Sequence, residues 1–129
     1  MREGIATGLA TFEQLISEVD WTRDDLSKTV CHQVGKAHRA LMLEALGIPI
    51  ERDHATFEWL GNTGSVALPI SLAMAAQHGH ITAKDQVGLL GIGSGINSVM
   101  MTCEWSQSRV QGIGPLPDHL TQQRDHSVV

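Results

Sequence analysis

Three short segments carry groups suited to holding a negatively charged oxygen. His32 stands in Cys31-His32-Gln33, Asn62 in Gly61-Asn62-Thr63-Gly64-Ser65, and Ser94 in the glycine turn Gly91-Ile92-Gly93-Ser94-Gly95. An imidazole N–H, a carboxamide NH2 and a backbone N–H between glycines are all donors of the kind that stabilise a developing oxyanion. Position alone is not specific. A lone histidine at a strand end is more often structural, an Asn ahead of a helix is more often a turn or N-cap residue, and Gly-Ser-Gly between two strands is more often a plain hairpin. Context strengthens His32: it closes a strand just ahead of a helix, whose positive end disfavours an extra proton and holds the imidazole neutral.

The neighbouring residues set limits on this chemistry. Cys31 next to His32 suggests a nucleophile pair, but successive residues of a strand point to opposite faces, which directs the thiol away from the ring. Cys31 and Cys103 read instead as small buried residues. Lys36, His38 and Arg39 form a weakly basic helix face just after His32, either a solvated surface or, through Lys36 and Arg39, a contact for an acidic carrier or a phosphate. His78 and His80 lie two apart in a polar turn with no metal-ligand spacing around them, so they read as solvated. A dinucleotide loop at Gly93-Ser94-Gly95 should open a helix and precede an acidic residue about twenty positions on, and neither is found.

Helices and strands must alternate to position these groups. Ile5, Leu9, Phe12, Leu15, Ile16 and Val19 recur at helical spacing over 4–19. Thr22 with Asp25 resembles a capping box for one short turn, and 29–32 is a short β-branched strand. The spacing predicts a second helix over 34–46, with Val34, Ala37, Leu41 and Ala45 on its apolar face and Gly47 as its stop. Residues 56–59 read as a short extended piece leading to Asn62. A third helix over 65–77 is apolar nearly all round, as a helix buried between layers would be, and Pro69, past its first turn, should bend it or cost a hydrogen bond. Strands over 86–92 and 97–105 pair as a hairpin. The predicted fold class is therefore α/β: a layered half-domain with a small mixed sheet, a buried central helix and a C-terminal β-hairpin, over 1–105. Residues 106–129 lose all periodicity and read as a disordered tail.

Composition restricts the function class. The chain has 129 residues, 42% of them hydrophobic and 18% charged, with a formal net charge of −5. That is one globular domain, without the clustered Lys and Arg of a nucleic-acid footprint. No stretch reaches the ~18 apolar residues of a membrane span, and no secretory signal opens the chain, so a cytoplasmic protein with reduced cysteines is expected.

Over 21–105 the chain resembles the C-terminal domain of β-ketoacyl-[acyl-carrier-protein] synthase III condensing enzymes of the thiolase superfamily. The resemblance rests on His32-Gln33 at a strand end, Gly61-Asn62-Thr63-Gly64-Ser65, the Ala-Leu-Pro-Ile-Ser-Leu-Ala helix, a Gly-His-Ile turn ending in Asp85, and Leu-Leu-Gly-Ile-Gly-Ser-Gly-Ile-Asn. It implies a Claisen condensation of acyl thioesters, on CoA or an acyl carrier protein, with no other cofactor or metal. It also implies His32 and Asn62 as the catalytic donors to the thioester enolate, and the Ser94 backbone N–H as part of the acyl oxyanion hole.

Two departures qualify the resemblance. Fatty-acid-initiating members have His-Gln-Ala-Asn with an Arg soon after, where this chain has His32-Gln33-Val34-Gly35-Lys36. The Gly-Ile-Gly-Ser-Gly-Ile-Asn segment is closer to members that condense two long acyl-CoA thioesters head to head, as in bacterial long-chain olefin synthesis. The family's nucleophilic Cys belongs to an N-terminal half, and a first strand should precede the opening helix; neither is in the chain. The expectation is a fragment, or one subunit of a split enzyme, inactive alone and completed by a Cys-bearing half, with the complete enzyme a homo-oligomer. A non-catalytic interaction module, associating through the open face of the sheet and the third helix, is the alternative.

Overall fold

The computed structural model describes residues 2–110. Its elements in chain order are α1 (Arg2–Val19), β1 (Lys28–Cys31), α2 (Lys36–Leu46), β2 (Asp53–His54), α3 (Phe57–Leu60), α4 (Ala67–Gln77), β3 (Gln86–Gly93) and β4 (Asn97–Glu104). The sheet order is β2-β1-β3-β4. β2, β1 and β3 run parallel, and β4 returns antiparallel to β3, so the sheet is mixed and ends in the expected hairpin.

Strand alternation divides the core in two. Cys31 and Leu90 face α1 and α2, where they join Phe12, Leu26, Met42, Leu43, Leu46 and Ile48. Val30 and Val87 face the other way and meet Ala75 and Ile81, with Leu68, Leu72, Leu89 and Cys103 beside them. The result is a helix-sheet-helix sandwich of the expected α/β class. Asp25 accepts the Thr22 N–H at 2.6 Å, the predicted capping contact. Gly47 ends α2 with φ +70°, a conformation that costs glycine little, and Ile48 N–H returns to Leu43 O at 2.9 Å.

Several local expectations are corrected. Residues 57–60 form a helical turn, because the extended segment comes earlier: β2 is only Asp53–His54. α2 starts at Lys36 and buries Met42, Leu43 and Leu46, while Val34 and Leu41 stay exposed. Its many alanines leave the helical phase ambiguous, and the larger side chains, which remove more apolar area from water, decide which face turns inward. α4 begins at Ala67, which puts Pro69 within its first turn, where the missing N–H has no intrahelical partner to lose. α4 turns Ala67, Ser71, Met74 and Ala75 to the sheet and leaves Val66 and Ile70 open. On that same side of the sheet β4 exposes Val99 and Met101, 72% and 53% accessible. The segment 106–110 carries neither helix nor strand, and the rest of the predicted tail lies outside the described residues.

Candidate active site

The parallel strands β1 and β3 bring the His32 and Ser94 segments to one edge of the sheet. His32 follows the last residue of β1, and its N–H continues the ladder to Leu90 O at 3.0 Å. Asn62 follows β2 through α3, and Ser94 follows the last residue of β3. His32 and Ser94 thus leave the carboxyl ends of adjacent parallel strands, where α/β sheets characteristically bind ligands, and Asn62 stands farther on, past α3.

His32 is half-buried and borders a small pocket with Cys31, Val34, His38, Met42 and Ile92 among its walls. Asn62 and Ser94 do not line this pocket. Burial, as the largest cause, holds the His38 imidazole below its ordinary value.

Asn62 is exposed, and its Oδ1 accepts the Gly64 N–H at 3.0 Å in an Asx turn. That bond orients the carboxamide and leaves its NH2 without an acceptor among the described residues. Ser94 lies exposed in the hairpin turn, its carbonyl facing Asn97 Nδ2 at 3.3 Å. Gly91, three residues earlier, permits the strands to close: a Cβ there would lie 2.7 Å from the Val99 carbonyl oxygen.

Cys31 cannot serve as a nucleophile to His32. It is 6% exposed, and burial, then the Asp53 carboxylate beside it, push its thiol well above the ordinary value against a smaller opposing pull from Arg39. Although Cys31 and His32 both border the pocket, the sulfur stays a thiol in the core. Cys103 is also raised by burial.

The predicted basic face is broken up. Lys36 is exposed, as a carrier or CoA contact requires. Arg39 is not available in the same way: its Nε donates to Asp53 Oδ2 at 2.6 Å and its Nη2 to Asp53 O at 3.1 Å. Asp53 is inaccessible at its side chain and also accepts from Thr29 Oγ1 at 3.0 Å. A buried carboxylate needs these partners, which is why it draws the guanidinium off the surface.

Sequence reasoning missed two further groupings. Gln33 is 2% exposed and bridges strand and helix: Nε2 donates to Cys31 O at 2.7 Å, while Oε1 accepts from Thr56 N at 3.0 Å and Phe57 N at 3.1 Å. Its place beside His32 was the only signal. His78 and His80, expected in solvent, pack with His54 and Trp59 at ring separations of 5.2–6.3 Å, and His80 Nε2 meets Arg52 O at 3.1 Å. Among the described residues no group of three His, Cys, Asp or Glu is placed to hold a metal ion. No described helix is long and apolar enough to cross a membrane.

Comparison with known proteins gives this arrangement a family. Residues 16–105 match the family model described as 3-oxoacyl-[acyl-carrier-protein (ACP)] synthase III C terminal. An acyl-CoA:acyl-CoA alkyltransferase of Shewanella oneidensis is 40% identical over 105 residues, which are 81% of this chain and 30% of the relative. A β-ketoacyl-[acyl-carrier-protein] synthase III of Bacillus cereus is 27% identical over 104 residues, again 81% and 30%. The structure of Xanthomonas campestris OleA with bound cerulenin superposes with a TM-score of 0.76 at 33% identity, covering 80% of this chain and 32% of that one. The synthase III of Pseudomonas aeruginosa has the same fold, with a TM-score of 0.77 at 23% identity, covering 81% and 33%. This chain spans about 30% of the length of the curated relatives it matches. With residues 16–105 inside one family match and a thiolase-type α/β sandwich beneath them, the chain belongs to the C-terminal domain family of 3-oxoacyl-[acyl-carrier-protein] synthase III enzymes.

Proposed function

We propose that this chain supplies the oxyanion donors of an acyl-thioester condensing enzyme, with the nucleophilic cysteine contributed by a segment outside it. His32 and Asn62 hold the enolate oxygen of one thioester during carbon–carbon bond formation, and the Ser94 backbone N–H serves the acyl carbonyl of the other. The observation that carries this reading is the placement of His32 and Ser94 directly after the parallel strands β1 and β3, with Asn62 in the segment after β2 and α3 whose start is hydrogen-bonded to Gln33, the neighbour of His32. An enolate oxygen gains charge as the bond forms, so preorganised donors stabilise the transition state more than the ground state.

Both thioesters are assigned to CoA. The two alkyltransferase relatives named for acyl-CoA are 40% and 33% identical, against 26–30% for the carrier-protein synthases. The engagement of Arg39 by Asp53 also removes one cation from the surface that an acidic carrier would meet. Lys36 remains as a CoA phosphate contact.

Incubation of the chain with a long acyl-CoA tests the division of labour: intact-mass analysis should show no acyl-enzyme. Stable acylation of Cys31 or Cys103 would sink the reading. Joined to the Cys-bearing N-terminal part of the Shewanella oneidensis relative, the chain should condense acyl-CoA, and His32→Ala or Asn62→Ala should each slow it by about 10²–10³-fold. Equal rates for wild type and both variants would refute the assigned roles.

A second reading, an interaction module without chemistry, is favoured by the open apolar surface of Val66, Ile70, Val99 and Met101. Light scattering of the chain alone and with the Cys-bearing part separates the two. A well-folded monomer that ignores the added part would contradict the need for a partner.

A further inference from the structure

Asn62 lies on an exposed turn, yet both flanks of that turn are tied into a buried chain of hydrogen bonds that begins beside His32. The chain starts at Cys31 O, which accepts from Gln33 Nε2 at 2.7 Å and so closes a loop around the His32 backbone. Gln33 Oε1 then accepts the Thr56 and Phe57 N–H groups. These are donors at the start of α3 that the helix itself cannot satisfy. α3 is a single turn, with Leu60 N–H on Thr56 O at 2.9 Å and Gly61 N–H on Phe57 O at 2.8 Å, and Asn62 follows directly.

The other flank is reached through hydroxyls. Ser71 Oγ donates to Ala67 O at 2.7 Å, so the 2.6 Å contact between Thr56 Oγ1 and Ser71 Oγ must use the threonine proton. Ala67 is the first residue of α4, just past the Asn62 turn. Gln33, Thr56 and Ser71 are 2%, 1% and 0% exposed, which removes water as a competing partner and makes each bond hard to exchange. The segment 57–66 is thereby anchored at both ends, and one anchor is the residue next to His32.

We infer that Gln33, Thr56 and Ser71 are positioning residues that fix the Asn62 turn relative to His32. The inference rests on the reading of His32 and Asn62 as paired donors. It goes beyond that reading in assigning their mutual placement to a buried polar relay rather than to apolar packing. Gln33 serves both donors, whereas Thr56 and Ser71 serve Asn62 alone, and this asymmetry gives the relay a signature that a general loss of stability lacks.

The test is NMR of the whole chain, following the His32 ring, the Asn62 side-chain amide and hydrogen exchange at Gly64. Gln33→Met, which keeps size but removes all three bonds, should move both His32 and Asn62 signals. It should also speed Gly64 exchange by on the order of tenfold, the effect of losing about one hydrogen bond that opposes local opening. Gln33→Glu keeps the acceptors for Thr56 and Phe57 but loses the donor to Cys31 O, so His32 should move and Asn62 should not. Thr56→Val and Ser71→Ala should move Asn62 and spare His32, and Thr56→Ser should restore wild-type positions. The inference is overturned if Gln33→Met lowers the melting temperature with both signals unmoved, or if Thr56→Ser and Thr56→Val act alike. If Gln33→Met does not fold, the threonine pair still decides. No thioester enters these measurements, so a failed relay and a failed catalytic assignment give different results.

Discussion

Removing the guanidinium of Arg39 should cost far more than removing a surface cation. Arg39→Met retains an unbranched apolar stem but leaves Asp53, whose side chain has no solvent exposure, with Thr29 Oγ1 and the Cys31 thiol as its remaining donors. Burial already pushes the Asp53 carboxyl up, and the Arg39 guanidinium is the strongest pull in the opposite direction. Breaking a buried pair from one side typically costs about 3–5 kcal/mol, against ~0.2–1 kcal/mol for an exposed one. Urea unfolding at pH 7.5 should show a loss in the first range, a large share of the 5–15 kcal/mol typical of a domain. The pH dependence supplies a second check. Without Arg39 the folded carboxyl titrates even higher, so stability is greatest where it is protonated and falls as pH rises through the unfolded carboxylate value. The penalty should therefore be smaller at pH 5 than at pH 7.5. Replacing both charges, Arg39→Met with Asp53→Leu, should recover most of the loss, because no uncompensated charge stays buried. A loss below about 1 kcal/mol for Arg39→Met, constant with pH, would show a free surface cation and return Arg39 to the candidate carrier contacts.

Three further outcomes follow from individual contacts. His38 is held below its ordinary value of 6.5, chiefly by burial, so stability should be fully present above that value and decline as pH falls through it; urea midpoints from pH 8 to 5 should show the decline, His38→Gln should reduce it, and an unchanged profile would contradict the shift. Under native conditions iodoacetamide should label Cys103 well before Cys31, with peptide mass analysis as the readout; preferential labelling of Cys31 would contradict its burial and raised thiol. Gly91→Ala should destabilise by roughly 1–3 kcal/mol, since its Cβ would meet a backbone oxygen at 2.7 Å, whereas Gly88→Ala, whose nearest contact is a Leu26 side-chain carbon at 3.4 Å, should cost under about 1 kcal/mol; equal effects would mean that the β3–β4 pairing adapts freely.

Much of the site's scaffold was legible because it is written in strong local patterns. The Ile5 to Val19 spacing specifies α1, the β-branched and continuous apolar runs specify β1 and β3, and the glycine turn before Asn97 specifies the hairpin. His32 and Ser94 follow β1 and β3 directly, and the parallel pairing of those strands puts them at one edge, whereas Asn62 follows β2 and α3. β2 was missed because two residues cannot establish a period, and 57–60 was misread because a one-turn helix leaves the same short apolar pattern as a strand.

By itself the sequence determined the longer elements, their order and the family, because side-chain periodicity, glycine stops and the His-Gln and Gly-Asn-Thr-Gly segments are local properties. Tertiary structure alone decided which polar group meets which. Arg39 is fourteen residues from Asp53, and Gln33 is twenty-three from Thr56. Whether a cation faces a ligand or a buried carboxylate depends on what the fold places beside it and removes from water, and no spacing within a single helix or strand records that. The same holds for the packing of His78 and His80 against His54, two partly buried rings that a polar turn would leave in solvent.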